Sequence, residues 1–230
     1  MSKVTAIILA GGIGSRMNSD ITKQNIVLLG KTIFERTLEA FCASSLVSDV
    51  VVVARREEVD FLKEKAESVS SKKIAVVVGG KTRAQSARNG FLHACDYTDY
   101  VAIHDCARCL VTPQMIDSVI SAAFECGAAT ATCSVTDTVK MVSDDGTIAS
   151  TIPRDKVYRA QTPQVFDTKL YKSALDEAGE QLDSYTDDNM LVENIGAKIK
   201  CVDLGMTNMK ITTFDDISLA EFILKQRGDQ

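Results

Sequence analysis

Val4–Leu9 is an unbroken run of apolar and β-branched residues that ends in a glycine cluster at Gly11, Gly12 and Gly14. Similar runs return at Asp49–Ala54, Ile74–Val78, Tyr100–Ile103, Thr130–Val135 and Ile199–Val202. Such runs are what strands covered on both faces require. Between them, apolar residues recur at helical spacing and predict helices over Thr32–Cys42, with Thr32 as cap, Glu57–Ser68, Arg83–Cys95, Pro113–Glu125 and Phe214–Lys225. Strand and helix in alternation mean parallel strands joined by helical crossovers, a Rossmann-like α/β sheet with helices on both faces. Ligands then belong at the carboxyl ends of the strands, where the loops 10–16, 79–83 and 104–109 fall. The whole chain, 1–230, is predicted to form one such domain.

One segment breaks the rhythm. Asp137–Tyr158 carries two short alternating runs around Asp145-Gly146, a β-hairpin signal. An isolated hairpin poor in apolar residues does not stabilise itself, so this arm is expected to project from the sheet and rest on a second subunit.

Charge narrows the range of partners. A net charge of −5 disfavours general nucleic-acid binding, which needs a basic face to displace counterions. A mildly acidic chain that handles phosphates must gather its cations locally. No apolar run reaches the roughly 18 residues of a membrane span. Met1–Lys3 leads straight into the first strand, without the zones of a secretory signal. A cytoplasmic location is the expectation, and seven cysteines, an odd number, suit reduced thiols better than a disulfide framework.

Three loops carry the candidate chemistry. LAGGIGSRM, residues 9–17, with Lys23 after it, offers backbone amides and cations to a polyphosphate, because glycine admits close approach of the ligand. It is neither a dinucleotide fingerprint, since Met17 occupies the third glycine position, nor a P-loop, which needs G-K-[ST]. GGKTRAQSARNG, residues 79–90, ends a strand with Gly79 and Gly80 and offers Lys81 and Arg83 as phosphate contacts, with Ser86 one turn into the helix within reach of a base or ribose; a solvated helix start explains the charges almost as well. In AIHDCARCL, residues 102–110, Asp105 directly after a strand is a natural magnesium ligand, and Arg108 adds a fork of phosphate donors. Cys106 and Cys109 beside His104 lack further ligands for a closed zinc site, which leaves two packed thiols. Later in the chain stand Asp137-Thr138, Arg154, Gln161-Thr162, Thr186-Asp187 and Lys210. Each alone reads as a loop cap or a surface charge. Together they supply hydroxyls and cations for a second, phosphorylated substrate.

LAGGIGSRM with KQ at 23–24, GGKTRAQS, HDCAR, DTVK, RAQTPQVF, YTDD and NMKITTFDD follow the order of the 2-C-methyl-D-erythritol 4-phosphate cytidylyltransferases, and the chain resembles that family over nearly its full length. The resemblance implies a nucleotidyltransferase sheet and a β-arm, at about 137–158, that crosses a homodimer. It implies a magnesium-dependent transfer of CMP from CTP to a sugar-alcohol phosphate, with release of pyrophosphate. Carried over, Ala10, Gly11, Gly12 and Gly14 wrap the nucleotide, Arg16 and Lys23 stabilise the triphosphate and transition state, and Gly80, Lys81 and Ser86 recognise base and ribose. Asp105 holds magnesium or the acceptor hydroxyls. Arg108, Thr138, Arg154, Thr162 and Lys210 surround the acceptor phosphate, with Thr138 and Arg154 reaching in from the neighbouring subunit.

The chain departs from the family pattern at Thr22 and Cys109, where prolines are usual, and at Tyr158, usually tryptophan. Losing two prolines is expected to loosen the loops by about 0.4–1 kcal/mol each. Ribitol-5-phosphate cytidylyltransferase is the nearest alternative, and a nucleotide-binding module without catalysis is the alternative of another class. Retention of Arg16, Lys23, Asp105 and Lys210 speaks against the second.

Overall fold

The computed structural model describes residues 2–12, 22–69 and 72–228. β1 (Val4–Leu9) lies at the centre of a seven-stranded sheet. β4 (Asp49–Ala54) and β5 (Ile74–Val78) extend the sheet on one side. β6 (Tyr100–Asp105), β10 (Tyr158–Asp167), β7 (Ala128–Ser134) and β11 (Lys200–Asp203) follow on the other. The small pair β2 (Val27–Leu28) and β3 (Lys31–Thr32) and the hairpin β8 (Val139–Val142) with β9 (Ile148–Ile152) stand outside the sheet.

The predicted strands form within two residues of the expected limits, but the sheet is mixed. β10 runs antiparallel to both neighbours, β6 and β7. Its sequence hides it, since Gln161, Thr162 and Gln164 interrupt the apolar run and are nevertheless buried. A register shift between Ala160 and Gln164 and the cis peptide Thr162–Pro163 mark the irregular middle of the strand.

Among the described residues seven helices cover the sheet. On one face lie α1 (Ile33–Ala43), α2 (Val59–Glu67), α4 (Pro113–Cys126) and α7 (Phe214–Gln226); on the other lie α3 (Arg83–Ala94), α5 (Thr168–Ala178) and α6 (Asp188–Asn194). Side chains alternate across a strand, so Ala6 and Ile8 of β1 meet Phe34, Leu38 and Phe41 on the first side, while Ile7 joins Phe91 and Tyr171 on the second. Each such isoleucine, leucine or phenylalanine side chain, fully buried, is worth about 1.5–3 kcal/mol relative to exposure. Thr32 caps α1 in a reciprocal capping box with Glu35, as its sequence predicts. Gly90 exists for close packing, because a Cβ there would collide with Ile7 and Val53 of the sheet.

β7 leads out of the sheet and β10 returns antiparallel beside it, with Tyr158 opposite Ser134. The hairpin is the excursion between them. Its strands pair only with each other, Val139 opposite Ile152, around a turn in which Asp145 accepts from the Thr147 N–H and Gly146 takes a left-handed φ of 81°. No helix of the described residues is long and apolar enough to cross a membrane.

Candidate active site

A cleft of about 490 Å³ opens at the carboxyl ends of β1 and β6, lined by Ala10, Gly11 and Gly12, by Gly80, Lys81, Arg83 and Ser86, and by Asp105 and Lys210 among others. Lys23 borders it as well, so among the described residues four cations and one carboxylate, that of Asp105, line the cleft. This is the local gathering that an acidic chain needs in order to hold polyphosphate. A second, contiguous hollow continues past Gly11, Gly80 and Ser86 towards Arg55 and Arg56.

Each wall has a structural cause. β1 ends at Leu9; the next residue, Ala10, donates its N–H to the Val53 carbonyl at 2.8 Å, and the chain continues through Gly11 and Gly12 along the cleft. Gly14 and Arg16, assigned to the nucleotide and the triphosphate, lie outside the described residues. At the second loop a Cβ on Gly80 would fall inside the Gln85 side chain, so only glycine fits against the start of α3. Thr82 caps that helix by accepting from the Gln85 N–H. The Ser86 hydroxyl accepts from the Gly80 N–H at 3.1 Å and donates to the Thr82 carbonyl at 2.8 Å. Ser86 therefore borders the cleft while its hydroxyl closes the loop.

Lys23 sits in a short 3-10 turn, Lys23–Asn25, and its Nζ donates to the Ile211 and Thr212 carbonyls at 3.3 and 3.5 Å. Buried Glu58 anchors the turn. Its carboxylate accepts from the Thr22 hydroxyl at 2.8 Å, from Gln24 Nε2 at 2.7 Å and from Arg55 Nε at 2.9 Å. Thr22 thus replaces a proline's rigidity with a side-chain tether. Cys109, at the other lost proline, is buried in the core.

Asp105 is the most elaborately held group. Its Oδ1 accepts from Arg83 Nε at 3.0 Å and its Oδ2 from Lys210 Nζ at 2.8 Å. Its backbone N–H donates to the Thr162 hydroxyl at 3.0 Å, and Thr162 meets His104 Nδ1 at 3.0 Å. Burial alone would raise the Asp105 pKa, but Arg83 and Lys210 outweigh it and hold the carboxyl well below the usual carboxylate range. His104 is wholly buried, and burial pushes its pKa down to about 3, so the ring stays neutral at physiological pH.

Arg108 lies behind this wall. One guanidinium nitrogen donates to the Asn208 carbonyl at 3.0 Å, while Nε is buried without a partner. Burial lowers its pKa, with Asp105 opposing and Arg83 reinforcing the shift. Asn208, itself fully buried, donates to Gln161 Oε1 and to the Thr162 carbonyl, both at 2.9 Å, and so ties the Lys210 loop to β10. Its role was not readable from sequence; only the string NMKITT pointed to the loop. Asp187 caps α6 through the Met190 N–H and accepts from Gln164 at 2.9 Å. Its neighbour Asp188, buried beside Tyr171, was likewise not singled out by sequence, being only one letter in YTDD.

Thr138 and Arg154 flank the hairpin at its base, exposed, and do not line the cleft of their own chain. Arg154 donates to the Thr136 carbonyl at 2.9 Å, at the base of the arm. Cys106 and Cys109 are free and buried, and burial raises both thiols, Cys109 to about 12. Among the described residues no cluster of three or more histidine, cysteine or carboxylate side chains could hold a metal.

Residues 4–226 match the family model for 2-C-methyl-D-erythritol 4-phosphate cytidylyltransferase. The chain belongs to this family. Curated members include the enzyme of Pelotomaculum thermopropionicum, 40% identical over 229 residues that span 99% of this chain and 96% of the relative. That of Clostridioides difficile is 40% identical over 221 residues, 96% and 93% of the two chains. Among solved structures, the 4-diphosphocytidyl-2C-methyl-D-erythritol synthase of Anaerococcus prevotii superposes with a TM-score of 0.87 at 31% identity, covering 97% of this chain and 96% of that one. The cytidylyltransferase of Thermus thermophilus gives 0.78 at 28% identity, covering 97% and 99%. The mixed seven-stranded sheet is therefore the family's fold, and the cleft lies at its strand ends.

Proposed function

We infer that the chain transfers CMP from CTP to 2-C-methyl-D-erythritol 4-phosphate and releases pyrophosphate, a step in isoprenoid precursor synthesis outside the mevalonate route. One observation carries the reading: in a chain of net charge −5, Lys23, Lys81, Arg83 and Lys210 converge with strand-end glycines on one cleft. Membership of the family names the substrates, and it favours the methylerythritol acceptor over ribitol 5-phosphate and over a binding module without catalysis.

The chemistry is an in-line displacement. An oxygen of the acceptor phosphate forms a bond to the α-phosphorus of CTP, and the bond from that phosphorus to the bridging oxygen of the β-phosphate breaks, its electron pair leaving with pyrophosphate. The protein contributes position and charge rather than a covalent nucleophile. Backbone at Gly11, Gly12 and Gly80 admits the nucleotide, whose base enters the hollow beside Ser86 and Lys81. Lys23 and Lys210 face the charge that builds on the phosphates, while Arg108, assigned to the acceptor phosphate, does not line the cleft and holds the Asn208 carbonyl behind Asp105.

Magnesium fits as an ion carried mainly by the triphosphate. Asp105 offers one carboxylate, each oxygen of which holds a single cation and keeps a further acceptor position, and magnesium is ordinarily bound by one or two carboxylates plus substrate phosphates. Bound there, it would neutralise phosphate charge.

Thr138 and Arg154 are exposed and do not line the cleft of their own chain, and the reading assigns them to a partner's site within a homodimer. A cytoplasmic location and indifference to nucleic acid go with it. Purified protein with CTP, magnesium and 2-C-methyl-D-erythritol 4-phosphate should release pyrophosphate, followed by a coupled assay, and form a CDP-alcohol visible by phosphorus NMR. Turnover should be far lower with ribitol 5-phosphate. Absence of pyrophosphate release with either acceptor would overturn the reading.

A further inference from the structure

Asp188, at the start of α6, is 1% exposed and does not line the cleft. Its Oδ2 accepts from a terminal nitrogen of Arg83 at 2.7 Å, its Oδ1 from the Tyr171 hydroxyl at 2.6 Å, and its backbone N–H donates to Gln164 Oε1 at 3.0 Å. A carboxylate so deeply buried costs several kcal/mol unless it is paired. Arg83 supplies the pair and does something more. Its Nε reaches the cleft carboxylate Asp105 at 3.0 Å, so one planar guanidinium spans a fixed interior anion and a working one.

Tyr171 secures the interior end. It is fully buried, stacked on Phe166 with ring centroids 5.3 Å apart and edge-on to Phe91 at 5.0 Å, and so cannot drift. Geometry therefore passes from a packed aromatic through Asp188 and Arg83 to the Asp105 side chain. A lysine at position 83 could neutralise Asp188 but could not fork to both carboxylates.

We propose that Arg83, held by Asp188 and Tyr171, is a positioning residue that fixes the Asp105 carboxylate for the transfer step. The proposal rests on the reading that Asp105 works in that step. A misplacement of the order of 1 Å in such a group costs about a hundredfold in rate.

The competing role is structural, in which Arg83 serves only to neutralise Asp188. Steady-state kcat, KM for CTP and thermal midpoint, measured on Arg83→Lys, on the charge-balanced double variant Arg83→Gln with Asp188→Asn, on Tyr171→Phe and on Asp105→Asn, separate the two. The double variant removes the buried pair together, so it retains a midpoint near wild type even if a single change at 83 does not fold. Expected for Arg83→Lys and the double variant is a kcat lowered about tenfold or more with KM for CTP changed less than about threefold. Tyr171→Phe keeps the ring packing, and its kcat should fall by about threefold. Wild-type kcat in the folded double variant, with Asp105→Asn inactive, would overturn the brace alone. Wild-type kcat in Asp105→Asn would overturn the brace and the reading of Asp105 together.

Discussion

The cleft and the arm are built on opposite principles. Around Asp105 almost every polar group has a partner, and those partners are buried in turn: Thr162 under the backbone, His104 beneath Thr162, Asp188 behind Arg83. Along the arm Met141 is 54%, Val142 56% and Ile148 65% exposed, and the two strands hold only each other. Preorganisation needs side chains locked by neighbours, which a single chain gives the cleft but does not give the arm. In the proposed homodimer, the partner would supply the surface that the arm's exposed apolar residues lack among the described residues of their own chain. Substitutions in the cleft should consequently change chemistry without assembly, and substitutions of the arm's exposed apolar residues should do the reverse.

The largest effect is expected at Lys23. Lys23→Ala removes a cation whose weight is greatest where charge builds, and kcat should fall about a hundredfold, some 2.7 kcal/mol, with far-UV dichroism and association state unchanged. An unchanged turnover number would remove Lys23 from the chemistry. On the arm, Arg154→Ala should raise KM for the methylerythritol phosphate about tenfold and KM for CTP by less than twofold. Equal rises would mean that the arm supports the whole site rather than the acceptor. Ile148→Ser should weaken self-association in sedimentation by about tenfold, yet leave urea stability at a protein concentration that keeps the protein monomeric within about 0.5 kcal/mol. Loss of stability in that monomer would show that the arm packs on its own subunit.

The two regions also differ in how openly the sequence announced them. The hairpin was plain because Asp145-Gly146 and alternating runs are local signals. The parallel strands were equally plain, since Val4–Leu9 is all apolar or β-branched and Asp49–Ala54 is so after its first residue. β10 escaped because its buried middle is polar: Gln161, Thr162 and Gln164 are inside to hold Asn208, Asp105 and α6, and no periodicity expresses that purpose. α5 and α6 went unmarked beside it. The cleft's lining residues came from motif order, but their division of labour did not. Arg83, read as a phosphate contact, faces two carboxylates, and nothing between residues 83 and 188 in sequence signals that they touch.

The cleft's buried scaffold should also reveal itself in acid. His104 has a folded pKa of about 3 against about 6.5 unfolded, so its contribution to stability is complete above pH 6.5 and is lost as pH falls from there towards 3. At pH 5.5 the loss is about 1.4 kcal/mol. Urea midpoints of wild type and His104→Gln between pH 4.5 and 7 should therefore diverge in slope, the variant being flatter. Parallel curves would mean that the ring is reached by solvent.

The smallest effect concerns how the Lys23 turn is stiffened. Thr22 has φ −67° and ψ 144°, values a proline adopts without strain, and its hydroxyl donates to Glu58 and accepts from Asn25 at 2.9 Å. Thr22→Val removes both bonds and keeps the branched shape, which should cost about 1 kcal/mol, since Gln24 and Arg55 still satisfy Glu58. Thr22→Pro loses the same bonds but restricts the unfolded chain, so it should be more stable than the valine variant by about 0.4–1 kcal/mol. The proline variant then approaches wild type, and kcat should follow the same order because Lys23 rides on this turn. A proline variant less stable than the valine variant would show that the turn depends on the threonine's bonds and on a backbone that proline cannot match, and the tether would not be interchangeable with ring rigidity.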